Sequence, residues 1–414
     1  MVNKDVRVLR DLAKQYMEIA CFDIHNKRRK LWSDFNSMRV RHVPVLILTM
    51  MDIWREVFSE QDLLCDNELY RYYENWLRME IYHASLGDDY IIEPWVPVKP
   101  VYKKGDLDLW QWGFQYEVER IRETMAFHLP APSIISEEDL IRLTAPDGII
   151  DEKKTLNKLD ILGEAIGDIV PVVPNYFPAV LNLPFILAYL LGPEDMMYLF
   201  YEQPETVHAV SKFISDARLK LYEDVESGGR LFSRDVADIN CPLIQSIAYC
   251  HELPAPDVAK PVTLKQHWVY DAAQEFESVS PKMFNEFVLE YQKPTLEKFG
   301  LTSYGCCENL TGKIKYLKQI KNLRRVAVTP WADNEECAKQ LEDKYIISWR
   351  PHPVEMVTND FVPERISSIV KKAKSVFDSY GCYWEVNLKD FLSVGHDRDR
   401  LRSWVNVVRA SLED

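Results

Sequence analysis

Residues 300–314 read GLTSYGCCENLTGKI: two adjacent cysteines, Cys306 and Cys307, are followed at once by Glu308, where a β-like run turns into a loop. Thiolates are nucleophiles and soft metal ligands, and a carboxylate beside them adds a harder donor. Two thiolates from different strands plus one oxygen or nitrogen donor suit zinc with one coordination position left open. A second sulfur stands at Cys382, 76 residues after Cys306, where the last strand-like run begins. Side chains along a strand alternate between its faces. A strand continuing through Glu308 therefore sets Tyr304, Cys306 and Glu308 on one face and Cys307 on the other, whereas a strand ending at Cys306 lets both sulfurs reach one ion. The plainer alternatives are that strand cysteines are small buried hydrophobes and that Glu308 is a solvated loop acid.

The elements that must position these residues show a rhythm from about residue 265. HWVYDAAQEF reads as a strand, followed by the helix SPKMFNEFVLEYQKPTLEKF with Ser280 as N-cap and Pro281 at its first position. GLTSYGCCEN, LRRVAVTP, YIISWRPHP and CYWEVNLKD read as further strands, each followed by a helical pattern, one of which ends at Gly381. Five strand–helix units in a row imply a parallel sheet. An early apolar run, VPVLILTM (43–50), and weaker candidates at DIVPVV and GGRLFSRDV bring the strand total near eight. The expected fold is thus α/β, a single (β/α)8 TIM barrel over 1–414. It would carry a helical N-terminal extension over 1–42 and an insertion or cap over 51–150 rich in Pro, Trp and Tyr. No GxGxxG or GxxxxGK[ST] follows any strand, which removes the usual nucleotide-binding reading.

Barrel chemistry sits at the C-terminal ends of the strands. That rule gathers Gln274 and Glu275, Tyr304 to Asn309, Trp331 and Asp333, Arg350 and His352, and Glu385, Lys389 and Asp390. Of these, Gln274, Trp331 and His352 are candidate substrate contacts, while Tyr304, Lys389 and Asp390 are candidate proton donors. His267 begins a strand and so lies at the wrong end for catalysis. Glu275 and Glu290 read as strand and helix surface.

Composition narrows the partners. The 414 residues are 47% hydrophobic, enough for a large core, and carry a formal charge of −14. Such an acidic chain repels phosphate backbones and anionic lipid, so neither nucleic acid nor a membrane is an expected partner. The first residues, MVNKDVRVLRDLAKQYMEIA, lack the apolar core of a signal peptide, and a cytoplasmic location is expected. Eight cysteines at irregular spacing do not form a disulfide framework in a chain of this length.

The stretch SPKMFNEFVLEYQKPTLEKFGLTSYGCCENL resembles the uroporphyrinogen decarboxylase superfamily, in which a Ser-Pro-initiated helix precedes a strand ending in a His-x-Cys-Gly-Asn-like signature. ISWRPHPVEM is similar to the family's next strand and turn, and residues 1–45 resemble its lead-in to the first strand. True decarboxylases of this family carry an arginine-rich loop after the first strand. Here TMMDIWREVF offers Arg55 alone, which argues against decarboxylation.

The other branch comprises cobamide-dependent methyltransferases with a zinc site of the form His-x-Cys…Cys. Laid on this chain, the ligand positions fall on Tyr304, Cys306 and Cys382. Tyrosine departs from that pattern, so either Cys307 or Glu308 supplies the missing donor, or the metal is bound differently or is absent. An oxygen ligand makes zinc a harder Lewis acid, suited to polarising an ether oxygen. Trp95, Tyr102, Trp110, Trp112 and Tyr116 in the insertion, with Tyr304, Trp331 and Trp349 near the barrel mouth, would suit an aryl methyl ether. The resemblance therefore implies the methyltransferase of an O-demethylase system, which takes a methyl group from a small methoxylated substrate. Since no Asp-x-His-x-x-Gly corrinoid motif occurs, the cobamide would arrive on a separate corrinoid protein. The alternatives are methyl transfer from a methylcobamide to a thiol, and a non-catalytic barrel that binds a corrinoid protein.

Overall fold

The computed structural model describes residues 3–48, 56–104, 137–177, 182–233, 245–256, 259–358, 360–391 and 393–413, together with Ile53, Trp112, Gly113 and Ile134. Within them the chain is α/β. Eight strands form, β1 (Val45–Ile47), β2 (Val96–Val98), β3 (Val172–Pro174), β4 (Trp268–Asp271), β5 (Leu301–Tyr304), β6 (Leu323–Val328), β7 (Ile346–Trp349) and β8 (Tyr383–Leu388). Six of them make one parallel sheet in the order β1-β8-β7-β6-β5-β4. All five strand–helix units expected after residue 265 are present. Ser280 caps its helix by accepting from the Met283 N–H at 3.2 Å, and Gly381 closes the helix Pro363–Ser379 at φ 64°.

The continuous eight-stranded barrel expected from the sequence is not what the described residues show. β2 and β3 pair with each other in a separate two-stranded parallel sheet. Each is three residues long and contains a proline, Pro97 or Pro174, which has no N–H to give to a ladder. The Pro- and Trp-rich stretch thus contributes a strand where a loop was expected. The run GGRLFSRDV gives only a bridge from Phe232 to Pro261, and its end lies outside the described residues. Among the described residues no helix is long and apolar enough to cross a membrane.

Register assigns the two faces of the main sheet. Val326, Val328, Ile347, Trp349, Val386, Leu388 and Val45 share the face that packs on helices, and all are buried. Trp349, Phe377 and Trp384 form an aromatic group there. The opposite, inner face is polar. It carries Ser303, Arg325, Ser348, Glu385 and Asn387, each under 4% exposed. Arg325 lies 3.5 Å from Glu385, whose carboxylate also accepts from Ser246 at 2.9 Å and Ser348 at 2.7 Å. The helical extension, Lys4–Ala20 and Asp23–Asn36, reaches this face through Asn36. Its side chain donates to the carbonyls of Ile247 and Tyr249 and accepts from Arg325.

A second buried ion pair ties the helix layer to β4. Arg218 of the helix Pro204–Ser227 donates to Asp271 at 2.8 Å, with 1% and 0% of their side chains exposed. Removing one partner strands the other charge without water, so Arg218→Met should cost about 3–5 kcal/mol. The double variant Arg218→Met/Asp271→Leu should recover most of that loss in urea unfolding, because no lone charge then remains. A double variant as unstable as the single one would show that packing, not charge, sets the cost.

Candidate active site

The cysteines lie at the C-terminal edge of β5, and a glycine decides how they face. Gly305 has φ 105°, and a Cβ there would come within 2.6 Å of Leu310 and 2.9 Å of Ala327. That left-handed residue breaks the alternation of the strand. Tyr304 stays on the helix side, where its hydroxyl donates to Gln292 Oε1 at 2.7 Å and its ring meets Phe284. Cys306 turns to the inner face and packs with Tyr270 and Ala272. Of the two arrangements open in the sequence, the strand stops short of the cysteines and both sulfurs lie together, away from Tyr304. Tyr304 is fully buried away from the sulfurs, and burial pushes its phenol well above the ordinary value, so it is no proton donor to this site.

Cys306 Sγ lies 3.5 Å from Cys307 Sγ and 3.1 Å from Lys389 Nζ, and the Gln245 side-chain amide reaches it at 3.5 Å. Cys307 Sγ donates to Asp390 Oδ2 at 3.2 Å, and Lys389 Nζ pairs with Asp390 Oδ1 at 3.0 Å. Arg350 donates to the carbonyls of Gly305 and Cys306 and to Gln245 Oε1. Gln245 and Asp390 both hold positive φ, at 50° and 60°, conformations that non-glycine residues adopt at a cost and that cluster at functional sites.

These contacts set the charge state. The single Cys307 proton, shared between Cys306 and Asp390, then the charges of Lys389 and Arg350 and the Gln245 amide, outweigh burial and hold the Cys306 thiol below its ordinary value. Cys307 is pushed up by the same hydrogen bond and by burial. The proton thus rests on Cys307 in preference to Cys306.

Glu308 is 2% exposed and takes no part in the sulfur cluster. Its carboxylate accepts the backbone N–H of Ala273 at 2.7 Å and of Cys306 at 2.8 Å, joining the ends of β4 and β5. It is a clamp where a ligand was expected. Burial, then the Cys306 charge, raises its pKa above the ordinary carboxylate value, making it a weaker acid. The adjoining turn Gln274–Phe276 is held at its other end by Lys313, 3% exposed, which donates to the Phe276 carbonyl at 2.6 Å. Gln274 on this turn is exposed, while Glu275 is half-buried. Burial, with the nearby negative charges of Glu308 and Cys306, lifts Glu275 from 4.5 to about 7.

Cys382 is a second correction. It precedes β8, at the opposite end from Lys389 and Asp390, with its thiol toward the Ala338 carbonyl at 3.8 Å. Burial pushes it up to about 12. The structure does not bring it to the cluster, because a residue that opens a parallel strand lies a strand's length from one that follows its neighbours' ends. Trp331, 61% exposed, stands edge-on to His352 with ring centroids 4.9 Å apart, and His352 Nδ1 accepts the Val354 N–H. This pair occupies the rim after β6 and β7. Of the insertion aromatics, Trp95 and Trp112 are buried, Tyr102 bridges to Ile150, and Trp110 and Tyr116 lie outside the described residues, as does Arg55.

Sequence reasoning missed Gln245 and Lys313, and passed over Glu275 as surface and Arg350 as an undifferentiated strand end. Position after a strand was a usable signal for Glu275 and Arg350. Gln245 arrives from a loop and gave none.

Among the described residues, Cys306, Cys307 and Asp390 are the group able to hold a metal, their donor atoms all lying within 4.8 Å of one another. Two zinc-bound sulfurs at tetrahedral angles sit about 3.7 Å apart, and a sulfur and an oxygen about 3.5 Å. The distances here, 3.5 and 3.2 Å, are within a few tenths of those values. Two sulfurs and a carboxylate at these separations form a donor set of the kind zinc takes, with Lys389 Nζ 3.1 Å from Cys306 Sγ and 3.0 Å from Asp390 Oδ1.

No protein-family model matches the chain, and no curated protein does. Among solved structures, a methyltransferase from Methanosarcina mazei is similar, with a TM-score of 0.52 and 10% identity. The match covers 92% of this chain and 97% of that one. The likeness is one of fold.

Glu275 gives a pH test. An acid whose folded value is raised stabilises the fold while neutral. Its contribution is complete below about 4.5 and is lost as pH rises through about 7. Relative to Glu275→Gln, the wild type should lose urea stability across that window. A stability difference that stays flat with pH would place Glu275 in water.

Proposed function

We propose that the chain is a corrinoid-dependent methyltransferase. It takes a methyl group from a small methoxylated substrate, an aryl methyl ether, and delivers it to a cob(I)amide carried by a separate corrinoid protein. The observation that carries this reading is the Cys306–Cys307–Asp390 cluster at the strand ends of a parallel sheet, in a chain folded like a methyltransferase.

Cys306, Cys307 and Asp390 would hold zinc, which when bound supplies Lewis acidity toward an ether oxygen. The chain's own groups do the rest. Glu275, poised at about 7, gives its proton to the leaving oxygen as the methyl group departs, since an acid tuned near the working pH is the efficient donor. Glu308 and Lys313 fix the turn that carries it. Lys389 offsets the negative charge that two sulfurs and a carboxylate bring together. Trp331 and His352 form an aromatic wall at the rim, and the corrinoid partner docks over the same face. A polycarboxylate substrate fits poorly with a chain of charge −14, so decarboxylation is not proposed.

Elemental analysis should find near-stoichiometric zinc in the wild type. That zinc should be lost in Cys306→Ser, Cys307→Ser and Asp390→Asn and kept in Cys382→Ser. With cob(I)alamin and a panel of methoxybenzenes, Glu275→Gln should lower kcat about 10²-fold or more and flatten the rise in activity toward acid pH. Methylation of a thiol by methylcobalamin, with no demethylation of any methoxybenzene, would instead assign the opposite direction of transfer. No zinc in the wild type and no methyl transfer in either assay would end the methyltransferase reading.

A further inference from the structure

The two sulfurs do more than fit a metal. Cys306 Sγ and Cys307 Sγ are in contact at 3.5 Å, on adjacent residues that lie past the end of β5 and outside its ladder. One sulfur, Cys306, has a cation and an amide donor beside it, Lys389 Nζ at 3.1 Å and the Gln245 amide at 3.5 Å. The other, Cys307, is half-buried with the Asp390 carboxylate 3.2 Å from its sulfur. An attacking thiolate beside a resolving thiol, with a cation on the first and a proton acceptor on the second, is the arrangement that oxidant-sensing cysteines use.

We propose that Cys306 and Cys307 form a reversible vicinal disulfide on reaction with a small hydroperoxide, and that this modification and metal binding exclude each other. Cys306 thiolate attacks the peroxide, forming an S–O bond as the O–O bond breaks, and the departing alkoxide or hydroxide takes a proton from water. Cys307 sulfur then attacks the sulfenic acid. Its proton passes by way of Asp390 to the leaving hydroxide, which departs as water as the S–S bond forms. The two sulfurs give up two electrons, and the peroxide is reduced to an alcohol or water. A disulfide needs the sulfurs at about 2.05 Å, a closure of about 1.5 Å; because adjacent Cα atoms lie about 3.8 Å apart, below the usual disulfide span, the peptide between the two residues must twist as the side chains rotate. The oxidised pair offers no thiolate, so two of the three donors are lost together.

The test treats the metal-free full-length protein with hydrogen peroxide and follows intact mass, alkylation and peptide mapping. The chain should lose two hydrogens, and its eight alkylatable thiols should fall to six. The cross-link should map to the peptide holding both residues, and dithiothreitol should restore the thiols. Cys307→Ser should keep its hydrogens and instead trap dimedone at Cys306, and Lys389→Met should oxidise about tenfold more slowly. A wild type that gains oxygen without losing hydrogens overturns the proposal, as does a loss of two hydrogens that persists in Cys307→Ser. Zinc taken up with the disulfide still in place overturns the exclusion. The disulfide is independent of the methyltransferase reading: its formation in a protein that never binds zinc would support it while removing the metal site.

Discussion

One buried carboxylate holds the site together. Glu308 accepts backbone N–H groups from Ala273, after β4, and from Cys306, after β5. Each such charge-assisted bond contributes about 1.5–3 kcal/mol, while taking a carboxylate out of water costs several. The raised pKa of Glu308 says that burial wins this contest. What the arrangement secures is geometry: two strand ends are locked at fixed separation, with Glu275 on one and the sulfurs on the other. The Asp271–Arg218 pair and Gln292, which bridges the Ala272 carbonyl and the Tyr304 hydroxyl, anchor the same two ends from the helix side.

Around that clamp the charges are nearly balanced. Cys306 and Asp390 carry negative charge, and Lys389 and Arg350 carry positive charge, all within one hydrogen-bonded group. In a site of low dielectric, an unbalanced thiolate would take up a proton. It stays ionised because the cations are already in place, before any ligand arrives. The inner face below is also polar, from Arg350 down to Arg325 and Glu385. These charges are buried on the same face as Leu46 and Ile346, and a buried ion pair at a place where apolar packing is available is explained by chemistry more readily than by stability.

Much of this was legible in the chain. The five strand–helix units after residue 265 announce themselves by period, by the Ser280-Pro281 start and by the Gly381 stop, because those signals are local. Lys389 and Asp390 were singled out by position alone, as residues just past a strand, but as proton donors and not as the ion pair that lies beside the sulfurs. The separate pairing of β2 and β3 was not legible, since no periodicity reveals how three-residue strands containing Pro97 and Pro174 pair. Tyr304 and Cys382 misled for different reasons. Strand alternation is a rule for residues without Gly305 between them, and Cys382, taken as a ligand from a resemblance, already read as opening its strand, the end away from the site.

The departure at Tyr304 then has a structural meaning. A chain that places tyrosine where a nitrogen ligand is expected, and withholds Cys382, must find its donors locally or do without a metal. Gly305 makes the local solution possible. By turning the chain through a left-handed residue it brings two consecutive sulfurs to the same side, which a continuing strand forbids. The same turn places them in contact with each other, so a cluster able to hold a metal through adjacent cysteines is also one that can close on itself. Metal affinity and susceptibility to oxidation are thus two consequences of one backbone choice, and a substitution at Gly305 would change both together.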